Sequence, residues 1–272
     1  MIKQPYTTLN NGIQMPLLGL GVYDMYREEA EQAVMDALEI GYRLIDTASM
    51  YQNEEQIGNA MNRSAVPRSE IFLTTKLNNS DHGYDQALKA FDISLNKLKQ
   101  EYVDLYLIHW PIRGKRHESW KALVRLYEEK RVRAIGVANY MIPMLEELKG
   151  YSDIVPAVDQ VEFSPWLFQK DLLEYCKKKD IQLQSYSPIT RGKRFDDERL
   201  LSICRKYGKT PAQIVLRWHI QHGISTIPKS SKKERLIENF GALDVTLTEE
   251  EMNTLNSCND GFRICDDPMD YF

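Results

Sequence analysis

Four side chains with complementary proton chemistry fall at or just beyond the ends of apolar runs. Asp46 closes the run 42–46, and Tyr51 follows five residues later. Lys76 follows 71–75, and His109 follows 103–108. A free phenol titrates near 10 and is a poor acid around neutrality. An ammonium beside it favours the phenolate and lowers that value. A carboxylate can hold the ammonium in place and keep it charged. An imidazole can hydrogen-bond and orient a substrate oxygen. Together the four could protonate a carbonyl oxygen as negative charge develops on it, or work in reverse on an alcohol. Each alone has an ordinary structural role, as turn cap, amphipathic tyrosine, solvated lysine or satisfied histidine. Their joint occurrence at strand ends points to an active site.

The elements that position them alternate along the chain. Asn10-Asn11-Gly12 predicts a small hairpin joining 7–10 to 13–15, since Asn-Gly is a strong turn signal. Strands are expected at 17–21, 42–46, 71–75, 103–108, 133–138, 157–161, 181–186 and 224–227. Helices are expected at 28–40, 53–62, 84–98, 118–129, 141–149, 168–179, 197–207, 211–222, 232–240 and 249–257. Thr210-Pro211 reads as a cap followed by a first-turn proline, and Thr248 to Glu251 as a capping box. Eight strand–helix units in 272 residues match a (β/α)8 TIM barrel, here with two extra helices. A doubly wound sheet shares the alternation. The absence of a linker or a break in composition favours one closed barrel, a single domain over 1–272.

In a barrel every strand's C-terminal end meets one rim. Beyond the first four groups, the strands deliver Trp110, Asn139, Gln160, Glu162, Tyr186 and Ser187 there. The loop after the eighth strand delivers Lys229, Ser230 and Ser231 ahead of a helix. Exposed N–H groups at a helix start favour a phosphate. Arg235, Glu238 and Asn239 lie one and two turns further on, which suits a nucleotide with a phosphate near its ribose. No Rossmann or Walker sequence offers another nucleotide site, and Gly19-Leu20-Gly21 lacks the third glycine.

Composition narrows the partners. A net charge of -4 gives no overall attraction to nucleic acid or an anionic membrane. The longest apolar stretches are about six or seven residues, too short to span a bilayer. Cys176, Cys204, Cys258 and Cys265 have neither metal-site spacing nor the look of a disulfide framework. His219 and His222 share one predicted helix but lack a third ligand, so no metal is expected. A cytoplasmic location is the default expectation.

These residues resemble the aldo-keto reductase family over about 9–272. The stretch Gly41 to Gly58 is similar to its first signature, Leu107-Ile108-His109-Trp110-Pro111 to its histidine strand, and Gly136-Val137-Ala138-Asn139-Tyr140 to its strand-five motif. Ile227-Pro228-Lys229-Ser230 with Arg235 to Asn239 resembles its cofactor motif. The likeness is to small microbial members that reduce aldehydes, keto-sugars and dicarbonyls. It implies a barrel closed at its base by the hairpin, and NADPH lying across the rim. Tyr51 would be the general acid, tuned by Lys76 and Asp46, with His109 orienting the carbonyl. Gly21 and Val22 would lie against the cofactor, and Asn139 and Gln160 would hold the carboxamide. Tyr186 would stack on the nicotinamide, with Ser187 and Ile189 along the pyrophosphate. Lys229, Ser230, Ser231 and Arg235 would serve the 2'-phosphate, and Glu238 and Asn239 the adenine end. Tyr23, Tyr51, His109 and Trp110 would contact a small-molecule carbonyl substrate. The resemblance also implies a monomer.

Three features depart from the family pattern or extend it. Ala138 stands where the family usually has serine, removing one hydrogen bond worth ~0.5–1.5 kcal/mol. The loops after His109 and Tyr186 and the C-terminal tail are short, which predicts an open and promiscuous site. Two basic groups, Arg113/Lys115/Arg116 and Arg191/Lys193/Arg194, are expected at the rim. They would either favour anionic substrates, hold the cofactor pyrophosphate, or serve solubility. Two further readings keep the barrel and change the function. One is a non-catalytic nicotinamide-cofactor-binding regulatory or subunit protein. The other is a nucleotide-free isomerase or aldolase. NADPH binding separates the reductase from the aldolase, and turnover separates it from the subunit.

Overall fold

The computed structural model describes residues 4–271. A two-stranded antiparallel hairpin, β1 (Tyr6–Thr8) and β2 (Gln14–Pro16), opens the chain. Its strands are shifted from the expected 7–10 and 13–15. Leu9 instead belongs to the turn, accepting from the Gly12 N–H and donating to the Ile13 carbonyl, both at 2.8 Å. Gly12 sits at φ 86, a conformation that favours glycine.

Eight parallel strands follow: β3 (Leu20–Gly21), β4 (Leu44–Asp46), β5 (Phe72–Leu77), β6 (Val103–Ile108), β7 (Val132–Ala138), β8 (Val158–Glu162), β9 (Gln182–Tyr186) and β10 (Ser225–Thr226). Each pairs with its sequence neighbour. Parallel bridges from Leu18 to Thr226 and from Gly21 to Lys229 join the first strand to the last and close the circle. The chain is therefore a barrel and not a doubly wound sheet. The first and last strands are shorter than 17–21 and 224–227, because beyond two paired residues their contact reduces to those single bridges.

The helices are α1 (Arg27–Ile40), α2 (Glu54–Arg63), α3 (Tyr84–Leu98), α4 (Arg116–Glu128), α5 (Ile142–Lys149), α6 (Lys170–Lys178), α7 (Glu198–Tyr207), α8 (Pro211–Gln221), α9 (Lys233–Phe240) and α10 (Glu249–Asn256). Both expected capping boxes form, Thr210 with Gln213 and Thr248 with Glu251. The two extra helices, α7 and α10, are tied together by Glu251, which accepts from Lys206 and Tyr207.

Two apolar cores result. The larger lies between strands and helices. The smaller fills the barrel with Leu44, Phe72, Leu105, Leu107, Ala134, Val158 and Ile227. Leu9 and Met15 of the hairpin join it, so the hairpin plugs the end of the barrel away from the strands' C-terminal ends. Burial of one such side chain contributes about 1.5–3 kcal/mol, and this plugged interior makes the opposite rim a rigid platform.

Candidate active site

Asp46 ends β4 and is 1% exposed. Lys76 lies inside β5 rather than after it, fully buried, and its four-carbon stem carries the ammonium up to the rim. The Lys76 ammonium donates to Asp46 Oδ1 at 2.5 Å and to the Thr47 carbonyl at 2.9 Å. It reaches the Tyr51 hydroxyl at 3.4 Å. Tyr51 ends a short 3-10 turn, Ser49–Tyr51, whose Ser49 hydroxyl donates to the Lys76 carbonyl. Thr47 and Asn53 brace this segment. The Thr47 hydroxyl donates to Asn53, and the Asn53 amide donates to the Val22 and Met25 carbonyls. The Tyr51 ring meets His109 and Tyr23 edge-on, at 5.7 and 5.1 Å between centroids. The sequence-predicted four therefore form one cluster.

Burial governs their protonation. Desolvation raises the Asp46 carboxyl, against the opposing pull of Lys76 and Gln160. Desolvation lowers Lys76, and Asp46 resists that. The expected lowering of Tyr51 is overturned. Burial, then the Asp46 charge, hold its hydroxyl well above 10, so Tyr51 carries its proton at neutral pH. His109 is pushed well below 6.5 by burial and by the Lys76 charge, which leaves a neutral imidazole. Its Nδ1 is buried without a hydrogen-bond partner.

A second ring of amides surrounds the cluster. The Gln160 amide donates to Asp46 Oδ2 at 2.7 Å and to Gln184 at 2.8 Å. Asn139 follows β7 with φ 64, and its amide donates to the His109 carbonyl at 2.9 Å. The Tyr186 hydroxyl donates to Asn139 Oδ1 at 2.8 Å. Ala138 is fully buried just before it.

The cluster opens into a cavity of about 980 Å³. Its walls include Gly21, Tyr23, Asp46, Tyr51, His109, Trp110, Asn139, Gln160, Tyr186, Ser187 and Ile189. The same cavity runs to Lys229 and Ser230 ahead of α9 and to Arg235, Glu238 and Asn239 along it. Lys229 donates to the Asp24 carbonyl at 2.8 Å, and Thr210 donates to Glu238 at 2.7 Å. Arg235 makes no ion pair among the described residues. Three expected residues do not line the cavity: Lys76, buried behind Asp46 and Tyr51, Val22 and Ser231. Val22 is fully buried with its side chain in the outer core, and Ser230, not Ser231, supplies the lining hydroxyl.

The basic loops divide. Arg191 lines the cavity. Arg116 is buried and ion-paired with Glu147, and Arg194 pairs with Asp260 while lying over the Phe262 ring. Arg113, Lys115 and Lys193 are not in the lining. The tail residues Cys265 and Asp266 do line it, and sequence reasoning missed both. Their one signal was Glu162 at a strand end, whose carboxylate accepts from the Ile264 and Cys265 N–H groups at 2.6 and 2.9 Å. Tyr271 meets Trp110 at 4.9 Å between ring centroids. Among the described residues no three His, Cys, Asp or Glu could hold a metal. His219 is instead bonded to the Val215 and Phe163 carbonyls. No described helix is long and apolar enough to cross a membrane.

A (β/α)8 barrel with an acid–ammonium–phenol chain at its rim, opening toward a basic helix start, defines an oxidoreductase of the carbonyl–alcohol class. The chain belongs to the Aldo/keto reductase family, whose sequence pattern matches residues 17–260. It is 46% identical to the glyoxal reductase of Bacillus subtilis over 261 residues, 96% of this chain and 95% of that one. It is 44% identical to the methylglyoxal reductase DkgA of Yersinia pestis over 273 residues, 98% of each chain. It superposes on a crystal structure of a Gox0644 mutant in complex with NADPH with a TM-score of 0.94, at 38% identity and 98% coverage of both chains.

Proposed function

We propose that this protein is an NADPH-dependent reductase of small aldehydes and ketones, with α-oxoaldehydes such as glyoxal and methylglyoxal among its substrates. One observation carries the reading: the buried Lys76 ammonium sits between Asp46 and Tyr51, both of which line the cavity together with His109. The donor set at the cavity's other end fits the cofactor. Lys229, Ser230 and Arg235 would hold the 2'-phosphate, and Glu238 and Asn239 the adenine side. Asn139, Gln160 and Tyr186 would face the nicotinamide, with Gly21, Ser187 and Ile189 along the path between the two ends.

When bound, NADPH supplies the hydride to the carbonyl carbon. The chain's own residues handle the oxygen. Tyr51 donates its hydroxyl proton to that oxygen, and the neutral His109 imidazole hydrogen-bonds and orients it. The phenolate left on Tyr51 faces the Lys76 ammonium, whose charge Asp46 and the Thr47 carbonyl maintain. Reprotonation of Tyr51 completes the cycle. Gln160 holds Asp46 from the opposite side. Nothing in this arrangement favours the non-catalytic alternative, since all four proton-handling groups converge.

The test follows NADPH consumption with methylglyoxal, benzaldehyde and a keto-sugar acid, with NADH in parallel. Turnover that requires NADPH and disappears in Tyr51→Phe is the expected result. Tight NADPH binding without turnover on any carbonyl would overturn the reductase reading in favour of a subunit or sensor.

A further inference from the structure

The tail over the cavity is held at several points. Glu162, 2% exposed at the end of β8, accepts the Ile264 and Cys265 N–H groups. The Trp166 carbonyl accepts the Asp260 and Phe262 N–H groups at 3.2 and 3.1 Å. Arg263 pairs with Asp267 at 3.5 Å, and Tyr271 packs against Trp110. A segment tied down this thoroughly presents its side chains in fixed places, and one of those is Asp266 on the cavity wall.

The charges around it make its position informative. Seven charged side chains line the cavity: Asp24, Asp46, Glu238 and Asp266, with Lys229, Arg191 and Arg235. Asp46 is paired with Lys76, Asp24 lies 3.6 Å from Lys229, and Glu238 accepts from Thr210. Asp266 has no cationic partner in an ion pair among the described residues; its neighbour is the Tyr271 hydroxyl, which faces it. The cavity cation Arg191 acts on Glu162 and Cys265, and makes no ion pair with Asp266. The Tyr271 ring that faces Asp266 packs against Trp110 of the cavity wall, and Tyr23 and Met50 add exposed apolar groups to the same wall.

We propose that Asp266 is a specificity-determining residue that selects carbonyl substrates by charge. An aromatic carbonyl lies against Trp110 and Tyr271, and Asp266 favours a cationic substituent or a hydrogen-bond donor on it while repelling a carboxylate. Glu162 is the positioning residue, because its two hydrogen bonds set where Asp266 stands. This rests on the reductase reading, and it runs against one of the three roles open to the basic loops, a preference for anionic substrates.

The experiment compares kcat/KM for benzaldehyde, 4-carboxybenzaldehyde and 4-(trimethylammonio)benzaldehyde in the wild type, Asp266→Asn, Asp266→Lys and Glu162→Gln, with NADPH affinity measured alongside. One full charge a few Å away in partly screened surroundings changes a rate constant by about fivefold or more. The wild type is expected to prefer the cation over the anion by at least that factor. Asp266→Asn brings the two together, and Asp266→Lys inverts them, with NADPH affinity unchanged. Glu162→Gln raises KM for all three, leaves kcat within about twofold, and weakens the preference. Equal ratios in the wild type and Asp266→Asn, with benzaldehyde still reduced, would overturn this inference alone. Turnover of none of the three would overturn the reductase reading and this inference with it.

Discussion

The two ends of the cavity are built by opposite means. At the strand ends, Asp46 and Lys76 are taken almost wholly out of water and leaned on each other. At the start of α9, Lys229 and Arg235 stay in contact with solvent, and Arg235 keeps no ionic partner among the described residues. Burial makes protonation states depend on the protein, which a proton-transfer site needs. Exposure leaves charges free to meet an anionic ligand and open to screening by salt. One barrel thus separates the group that must be tuned from the group that must be available.

The largest effect is expected at Tyr51. Tyr51→Phe removes the transferable proton and keeps the ring, so kcat/KM is expected to fall by about a thousandfold, within the range for general acids. NADPH affinity should not move, and fluorescence titration checks that. Lys76→Met attacks the buried end's stability as well. It strands the Asp46 carboxyl without its partner, at a cost of about 3–5 kcal/mol in chemical denaturation. Asp46→Asn in the same chain should restore most of that stability and none of the turnover. Recovered turnover would show that the pair is a packing device.

The role of burial can be sharpened away from the site. Burial lowers His219 to about 4, against about 6.5 in the unfolded chain. Its folded value is depressed, so its contribution is fully present above pH 6.5 and is lost as pH falls toward 4. That amounts to roughly 3 kcal/mol at the limit, with His82 adding a similar contribution from the same cause. Thermal unfolding between pH 7 and 4.5 should show the decline, and His219→Gln should flatten it by about half. An unchanged slope would separate His219 from the acid response.

The exposed end should behave differently. Arg235→Ala is expected to raise KM for NADPH by about tenfold while leaving NADH nearly untouched, as a lost contact to a charged phosphate would. Adding salt should shrink the gap between wild type and variant. The smallest effect belongs to Ala138→Ser. It would add one hydroxyl beside Asn139 and should lower KM for NADPH by a few-fold, in line with one neutral hydrogen bond. A larger gain would mean that Ala138 matters more than its neighbours suggest.

The strand-end chemistry was legible because period and polarity change together at Asp46 and His109. Lys76 was legible as a group but not as a position. Its stem lets it begin inside β5 and still reach the rim, so the strand continues to Leu77. The sequence also put the ammonium's influence on Tyr51 first. Depth of burial decides that sign, and depth is a property of the folded surroundings. Val22 was misplaced for a related reason. Its backbone serves the site by accepting from Asn53, while its side chain serves the core. The tail was the least readable part. Cys265 and Asp266 arrive through a carboxylate on a distant strand, and no local pattern encodes that.

The parallel bridge from Gly21 to Lys229 has a consequence of another kind. It belongs to the joint where the circle closes, and the neighbouring bond from Lys229 to Asp24 spans 205 residues of chain. Contacts that distant in sequence carry a high loop-closure cost. The basic group proposed for the dinucleotide therefore stands on the joint that holds the circle shut. A ligand gripping both sides of that joint would act as a clasp, slowing the barrel's opening and lengthening its life against proteolysis by mass action alone.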